Sequence, residues 1–520
     1  MNKVFWGNYG LGLVYQIDSI SFVGLVLLLY LTAGFIAWRF PQFSLLKYRF
    51  VKIFAVVTLF IFTMFASSLA HDEAEHIHAT WLMSQGMLPF RDFWEHHSPA
   101  LWLMLAPLYK ILPAGLLILD VTRVIMALVA LATLWVLLAG ARLMKFSTAG
   151  NYWLVFFWLL AAPLGHIWQL RPDPFGNLLA LLALGSLCYG SSWRPATISG
   201  VLVGLTLAMS PKHFIVCMVP AIILLFSNRP VRSLLVHALG VALGLLPLIL
   251  WLQAHELGAD FIKWVLLYNS NDKGRLCGML VPLVSFIAIM GWCASRPSFT
   301  WKGMTLPERV LLLSILASLA TVFFQPAIKY KFQYHLQMLF ILQPLLAAVA
   351  INWWLSIISN VRWRAVFMTL LVLVGLTPVM RDYFIEYRIG YNFQNTKKVV
   401  ATMIKLAGDE PVFSIMPVHP LFAFDAVDMF NQYPLENLGN PAVKPLFINI
   451  AKDLERKKPP IIYCGGNEFA LPDYFKVAGI FDLRGEVDFI DFLHANYTLY
   501  MPFRSAGVWV RKDRMVYVEK

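Results

Sequence analysis

Charge is what this sequence has least of. Only 14% of its 520 residues are Asp, Glu, Lys or Arg, against about a quarter in a typical soluble domain. The hydrophobic fraction is 59% and the mean hydropathy is +0.66. A water-soluble chain is thereby excluded, and an integral membrane protein is expected. Cysteine is also sparse. The five are Cys188, Cys217, Cys277, Cys293 and Cys464, and no two form a CxxC. That spacing excludes a zinc ribbon and a disulfide framework, leaving Cys277 and Cys464 as a pair that could share a compartment. The start, "MNKVFWGNYGLGLVYQIDSI", lacks the basic, apolar and small-residue order of a cleavable signal peptide. The net charge of +13 is not gathered into a basic patch with interleaved aromatics, so no nucleic-acid partner is expected.

What is abundant is long apolar runs. A span needs roughly 20 such residues. Twelve candidates lie at about 20–40, 51–70, 117–140, 150–166, 174–190, 196–210, 213–227, 231–253, 278–295, 309–326, 336–357 and 363–380. The pair at 196–210 and 213–227 is short. A further run, "PALWLMLAPLYKILP" (99–113), is too short and too broken by proline to cross, and reads as interfacial or re-entrant. The loops alternate in charge. One set carries Lys47, Arg49, Lys52, Arg142, Lys145, Arg194, Arg229, Arg232, Arg296, Lys302, Arg309, Arg362 and Arg364, with Glu308 as its one acid. The other set holds Asp72, Glu73, Glu75, Asp92, Glu95, Asp173, Glu256, Asp260 and Asp272. The basic set is expected in the cytoplasm, which puts both termini and the acidic loops outside.

From about residue 380 the pattern changes. "NTKKVVATMIKLAG" has helical spacing and "PVFSIM" reads as a strand. "INIAKDLERKK" and "PPIIYCGG" repeat that order, and "YTLYMPF" and "GVWVRK" close a small sheet. The expected organisation is a membrane domain over 1–380, with its first outer loop at 71–116, followed by an outer α/β domain over 381–520.

The unusual polar groups all fall on the outer side. The richest stretch is "HDEAEHIHATWLMSQGMLPFRDFWEHHSP", which holds five of the twelve histidines. Asp72 and Glu73 sit where the second span reaches the outer surface. They are either an ordinary acidic boundary or a general base, since a carboxylate at a membrane edge can take a proton from an acceptor hydroxyl. The histidines match neither HExxH nor HxxEH. "DEAEH" has aspartate where the first histidine of the inverted motif would stand, and "EHH" has no second ligand at helical spacing. A metalloprotease is excluded, while looser coordination by His71, Asp72, Glu75 or His76 stays open. His96 and His97 read either as polar loop residues or as substrate contacts. Arg171 and Asp173 in "RPDP", Lys212 in "SPKHF", and Lys329, Lys331 and His335 in "AIKYKFQYHLQ" are either snorkelling side chains or a clamp on a phosphate. Arginine can grip phosphate with two hydrogen bonds, which lysine cannot.

The pair Asp72–Glu73 after a span, followed by "GMLPFRDFWEHHSP" and a broken apolar run, resembles the first outer loop of GT-C glycosyltransferases. The bacterial branch related to protein O-mannosyltransferases and the lipid A aminoarabinose transferase is the one it looks most like. There the loop reads acidic pair, Gly-x-x-Pro-Tyr-x-Asp, His-x-Pro-Pro. Gly86, Pro89, Asp92, His97 and Pro99 fit, Phe90 replaces the tyrosine and Ser98 the first proline. "RPDP" and "KFQYHLQMLFILQPLLA" resemble later segments, and the span before residue 41 is an addition to the pattern.

The resemblance implies a polytopic α-helical GT-C fold with interfacial helices in the first outer loop. The enzyme would sit in a bacterial inner membrane and move a hexose or pentose from a polyprenyl-phosphate-linked donor to a lipid, glycan or protein acceptor outside. It makes Asp72 the catalytic base, with Glu73 beside it. Glu73 and Asp92 would bind or orient substrate, with Arg91, His96, His97, Asp173 and His335 as further contacts. Arg171, Lys212, Lys329 and Lys331 would hold the donor phosphate. No cofactor is required in that branch, although a divalent ion in the first outer loop stays open. Two other readings remain. A lipid-linked-sugar transporter or flippase would place its charges at the bilayer midplane, where these spans are almost free of acids. A polymerase or ligase would concentrate them in later loops.

Overall fold

The computed structural model describes residues 31–32, 35–36, 38–40, 69, 71–146, 148–164, 167–268, 303–324, 337–370, 393–414, 422–426, 450–464, 491–502 and 507–517. The expected span at 278–295, nearly all of that at 51–70, most of that at 20–40, the second half of that at 363–380, and the residues Lys329, Lys331 and His335 lie outside them.

Helix α1 (His71–Ser84) carries Asp72 and Glu73 in its first turn, where carboxylates complement the positive end of the helix dipole. It ends at Gly86, whose φ of 91° suits glycine. There the Gly86 and Met87 N–H groups turn back to the carbonyls of Met83 and Leu82. Helix α2 (Ala100–Ile111) packs on α1 and has 12 residues, about 18 Å at 1.5 Å per residue, too short to cross a bilayer. Helix α3 (Leu116–Leu143) has 28 residues and α8 (Pro230–Ala254) has 25, each long and apolar enough to span a membrane. Between them run α4 (Thr148–Leu164), α5 (Pro172–Leu187), α6 (Trp193–Met209), a 3₁₀ turn (Pro211–His213) and α7 (Phe214–Leu225). Helices α9 (Leu306–Phe324) and α10 (Gln337–Ile357) follow.

The distribution of side chains is that of a membrane protein. Helix α3 exposes Val124, Leu128, Leu131 and Trp135, and α8 exposes Leu235, Leu239, Leu243, Leu246 and Leu250. In water such stripes would be costly; in lipid they are the favourable surface. The inner contacts use size. Gly200 and Gly204 of α6 face Gly240 and Gly244 of α8. A Cβ on Gly204 would lie 2.3 Å from the Val241 carbonyl oxygen and 2.8 Å from the Gly244 Cα. The two backbones therefore touch, the packing that small residues permit between membrane helices.

The C-terminal elements are α11 (Phe393–Ala407), β1 (Phe413–Ser414), α12 (Ile450–Lys457), β2 (Ile461–Cys464), β3 (Tyr497–Pro502) and β4 (Gly507–Arg511). The four strands form one sheet in the order β1-β2-β4-β3. The β1–β2 pair is parallel and the others antiparallel, with Ile462 opposite Trp509. Alternation along the strands feeds two cores. Ile461, Val508 and Val510 pack with Ile77, Phe93, Leu101 and Trp102 of the α1–α2 region. Ile462 and Trp509 pack with Phe90, Trp94, Leu248 and Trp264. The loop between α1 and α2 is thus held on two sides. Polar ties add to this: Lys397 of α11 bonds Asp120 of α3 at 2.6 and 2.8 Å, and His78 of α1 meets Asp425 at 3.1 Å.

Candidate active site

The two acids at the start of α1 point different ways. Glu73 is fully buried and accepts a hydrogen bond from the guanidinium of Arg123 on α3 at 2.7 Å; both side chains have no exposed surface. The Asp72 side chain is 21% exposed and is paired with Arg171. Successive residues on a helix are about 100° apart, so one acid faces the packed interior and the other an accessible edge. With no exposed surface, Glu73 ties α1 to α3 through Arg123.

Arg171 sits in extended backbone just before α5, with Pro172 at the first helical position. The Arg-Pro step favours that extended conformation and the proline starts the helix. Asp173 follows in the first turn. Its carboxylate accepts the Ser210 hydroxyl at 3.0 Å and the Lys212 ammonium at 2.6 Å. Burial works against ionisation of Asp173. Lys212, with His213 and Arg171 behind it, outweighs that and holds the carboxyl below the usual carboxylate range. Burial also pushes the Lys212 ammonium down, and Asp173 opposes the shift. The 3₁₀ turn is fixed on α5 by His213, whose Nε2 meets Asn177 at 2.8 Å. Gly176 makes room for that ring: a Cβ there would lie 3.1 Å from it. Asp72, Arg171, Asp173 and Lys212 therefore form one chain of alternating charge where α1, α5 and the 3₁₀ turn meet.

Beside it lies a second group. The Glu95 carboxylate accepts the His96 backbone N–H at 2.8 Å and meets His97 Nδ1 at 2.9 Å. Glu75, one turn into α1, lies 3.7 Å from His97 Nδ1 and 4.0 Å from His96 Nδ1. His76 accepts the Trp102 indole N–H at 3.2 Å, and its ring meets that of His97 edge-on at 4.7 Å.

Arg91 and Asp92 pair with each other at 3.1 Å, and Asp92 accepts the Leu88 N–H at 2.7 Å. Burial would raise the Asp92 carboxyl, but Arg91 and the Leu88 N–H hold it below its ordinary value. These bonds close the turn that sets Phe90 at φ 69°. Ser98, where the motif has proline, donates its hydroxyl to the Ala208 carbonyl at the end of α6.

In overall shape the chain is similar to ArnT from Cupriavidus metallidurans. Against the structure bound to undecaprenyl phosphate the TM-score is 0.55, with 10% identity over 88% of this chain and 97% of that one. Against the apo structure it is 0.56, with 12% identity and the same coverage. The chain has a GT-C-like membrane fold. No family model and no curated protein sequence matches it. With identity this low the likeness is one of fold, and site roles rest on this chain's own side chains.

Arg123 and Glu75 are the residues that sequence reasoning missed as partners. Arg123 is an arginine inside the apolar run at 117–140, whose one other charged residue is Asp120, a signal for a buried acidic partner that the run's hydropathy obscured. For Glu75 the local spacing to "EHH" carries no signal, because the rest of α1 and the loop after it separate them.

Proposed function

We propose that this protein is a glycosyltransferase that moves a sugar from a polyprenyl-phosphate donor to an envelope acceptor at the outer face of the inner membrane, with inversion. The observation that carries the reading is the accessible Asp72 paired with Arg171 beside Asp173 and Lys212. The GT-C-like fold and the undecaprenyl phosphate bound by the similar ArnT add to it.

In this scheme the donor's phosphate meets Arg171 and Lys212, and the guanidinium shifts from Asp72 toward it. Asp72, freed, accepts the proton of the acceptor hydroxyl as that oxygen attacks the anomeric carbon. The C–O bond to the phosphate breaks on the opposite face, and the two cations stabilise the charge that develops on the leaving polyprenyl phosphate. Asp173 positions Lys212, and Glu73 positions α1. About twelve spans, a bacterial inner membrane and an outer C-terminal α/β domain complete the proposal. The donor enters laterally from lipid and the acceptor from water.

The test is purified protein in liposomes with a panel of polyprenyl-phosphate sugars and a cell-envelope extract. Release of polyprenyl phosphate together with a glycosylated product supports transfer. Movement of intact donor between leaflets with neither product would instead establish a flippase.

A further inference from the structure

We propose that Glu75, Glu95, His96 and His97 form a binding site for one divalent transition-metal ion, of zinc type, which staples the first outer loop to α1. Among the described residues these four bring one ligand atom each to within 4.8 Å of one another. The nitrogen–oxygen edges are 2.9, 3.4, 3.7 and 4.0 Å. A tetrahedral zinc ion with ligands at about 2.1 Å has edges of about 3.4 Å, so small side-chain rotations close the set around an ion.

The chemistry of the set is selective. Two imidazoles with two carboxylates suit zinc-type ions, whereas magnesium and calcium favour all-oxygen shells. Charge points the same way. Glu95 has no exposed surface and Glu75 only 2%, and two carboxylates buried together need compensation. A divalent cation held between the two carboxylates would supply charge of the opposite sign. The surroundings would support the ligands: the Glu95 oxygen is oriented by the His96 backbone N–H, and the His97 ring is braced by His76, itself held by Trp102.

The ligands also define a role. Glu75 belongs to α1, four residues before Ala79 and three after Asp72; the other three are consecutive in the loop leading to α2. An ion joining them would fix that loop over the helix that carries Asp72, while leaving Asp72, Arg171, Asp173 and Lys212 outside its ligand set. The site is therefore positional, and it stands whether or not the protein transfers sugar.

The experiment measures metal directly, on full-length protein purified without a polyhistidine tag and without chelator. Elemental analysis should give about one zinc-type ion per chain, and X-ray absorption should show four nitrogen or oxygen ligands including imidazole. Glu75→Gln and His97→Asn should each weaken zinc binding by well over the roughly tenfold that loss of a supporting hydrogen bond costs. His78→Asn, on the same helix but outside the set, should keep it. Added zinc should raise the melting temperature of chelator-treated wild type and not of Glu75→Gln. Wild type that binds no zinc at micromolar concentration, sulfur ligation in the absorption spectrum, or unchanged binding in both ligand variants would overturn the proposal. The absorption measurement needs only wild type, so a misfolded variant does not decide the matter.

Discussion

Glu73→Gln and Arg123→Met separate an anchor from a base. Both side chains have no exposed surface and their hydrogen bond is 2.7 Å. Removing one member of such a buried pair leaves the other charge uncompensated, at a cost of about 3–5 kcal/mol. Arg123→Met, which strands a carboxylate, should be the more severe. The double variant should recover much of the loss, because a neutral amide beside a thioether carries no stranded charge. The coupling energy from the cycle should then be about 2 kcal/mol or more. The assay is the denaturation midpoint of purified protein in mild detergent, with transfer activity measured on the same samples. Activity of Glu73→Gln should fall in step with folded protein and recover in the double variant. If Glu73→Gln instead kept wild-type stability and lost all transfer, the anchor role would be refuted and Glu73 would belong to the chemistry.

Three further outcomes follow from the packing and electrostatics. Gly204→Leu, which drives a side chain into the Val241 carbonyl and the Gly244 backbone, should cost at least the 1–3 kcal/mol typical of overpacking, while Gly185→Ala, with open space around it, should not; thermal unfolding distinguishes them. Asp173 has a folded pKa below its ordinary value, so its ion pair contributes stability that is complete above about pH 4 and is lost as pH falls through the folded value. The melting difference between wild type and Asp173→Asn should therefore stay constant from about pH 5 to 7 and shrink under stronger acid. Asp120→Asn should cost only about 0.5–1 kcal/mol, because Asp120 is 42% exposed beside Lys397; a larger loss in denaturant titration would show that α11 depends on this tie more than on Val400 and Met403.

The sequence disclosed elements better than partnerships. Asp72 and Glu73 were expected at the outer end of a span; that they open α1 and that Pro172 opens α5 are local capping and proline preferences that a reading by hydropathy leaves out. The runs 117–140 and 231–253 were readable because lipid demands length, and they correspond to α3 and α8. The short candidate at 196–210 appears as α6, 17 residues long. Its pairing with α8 is encoded in two Gly-x-x-x-Gly steps, Gly200/Gly204 and Gly240/Gly244, a signal overlooked because hydropathy counts glycine as neutral. The different surroundings of Asp72 and Glu73 were not legible, since they depend on Arg171 and Arg123, 99 and 50 positions away. The surroundings of the histidines were not legible for the same reason. Helical spacing says nothing of contacts between α1 and a later loop, and His76, left open as one of several coordinating residues, accepts the Trp102 indole N–H and meets the His97 ring.

The most direct test of the account is transfer by Asp72→Asn, an isosteric change that keeps a side chain beside Arg171 while removing the proton acceptor. In liposomes supplied with polyprenyl-phosphate sugar and acceptor, polyprenyl phosphate release by this variant should fall by the factor of about 10² to 10⁴ that a general base contributes, with insertion and melting close to wild type. Release at the wild-type rate from Asp72→Asn would contradict the central claim that Asp72 is the base.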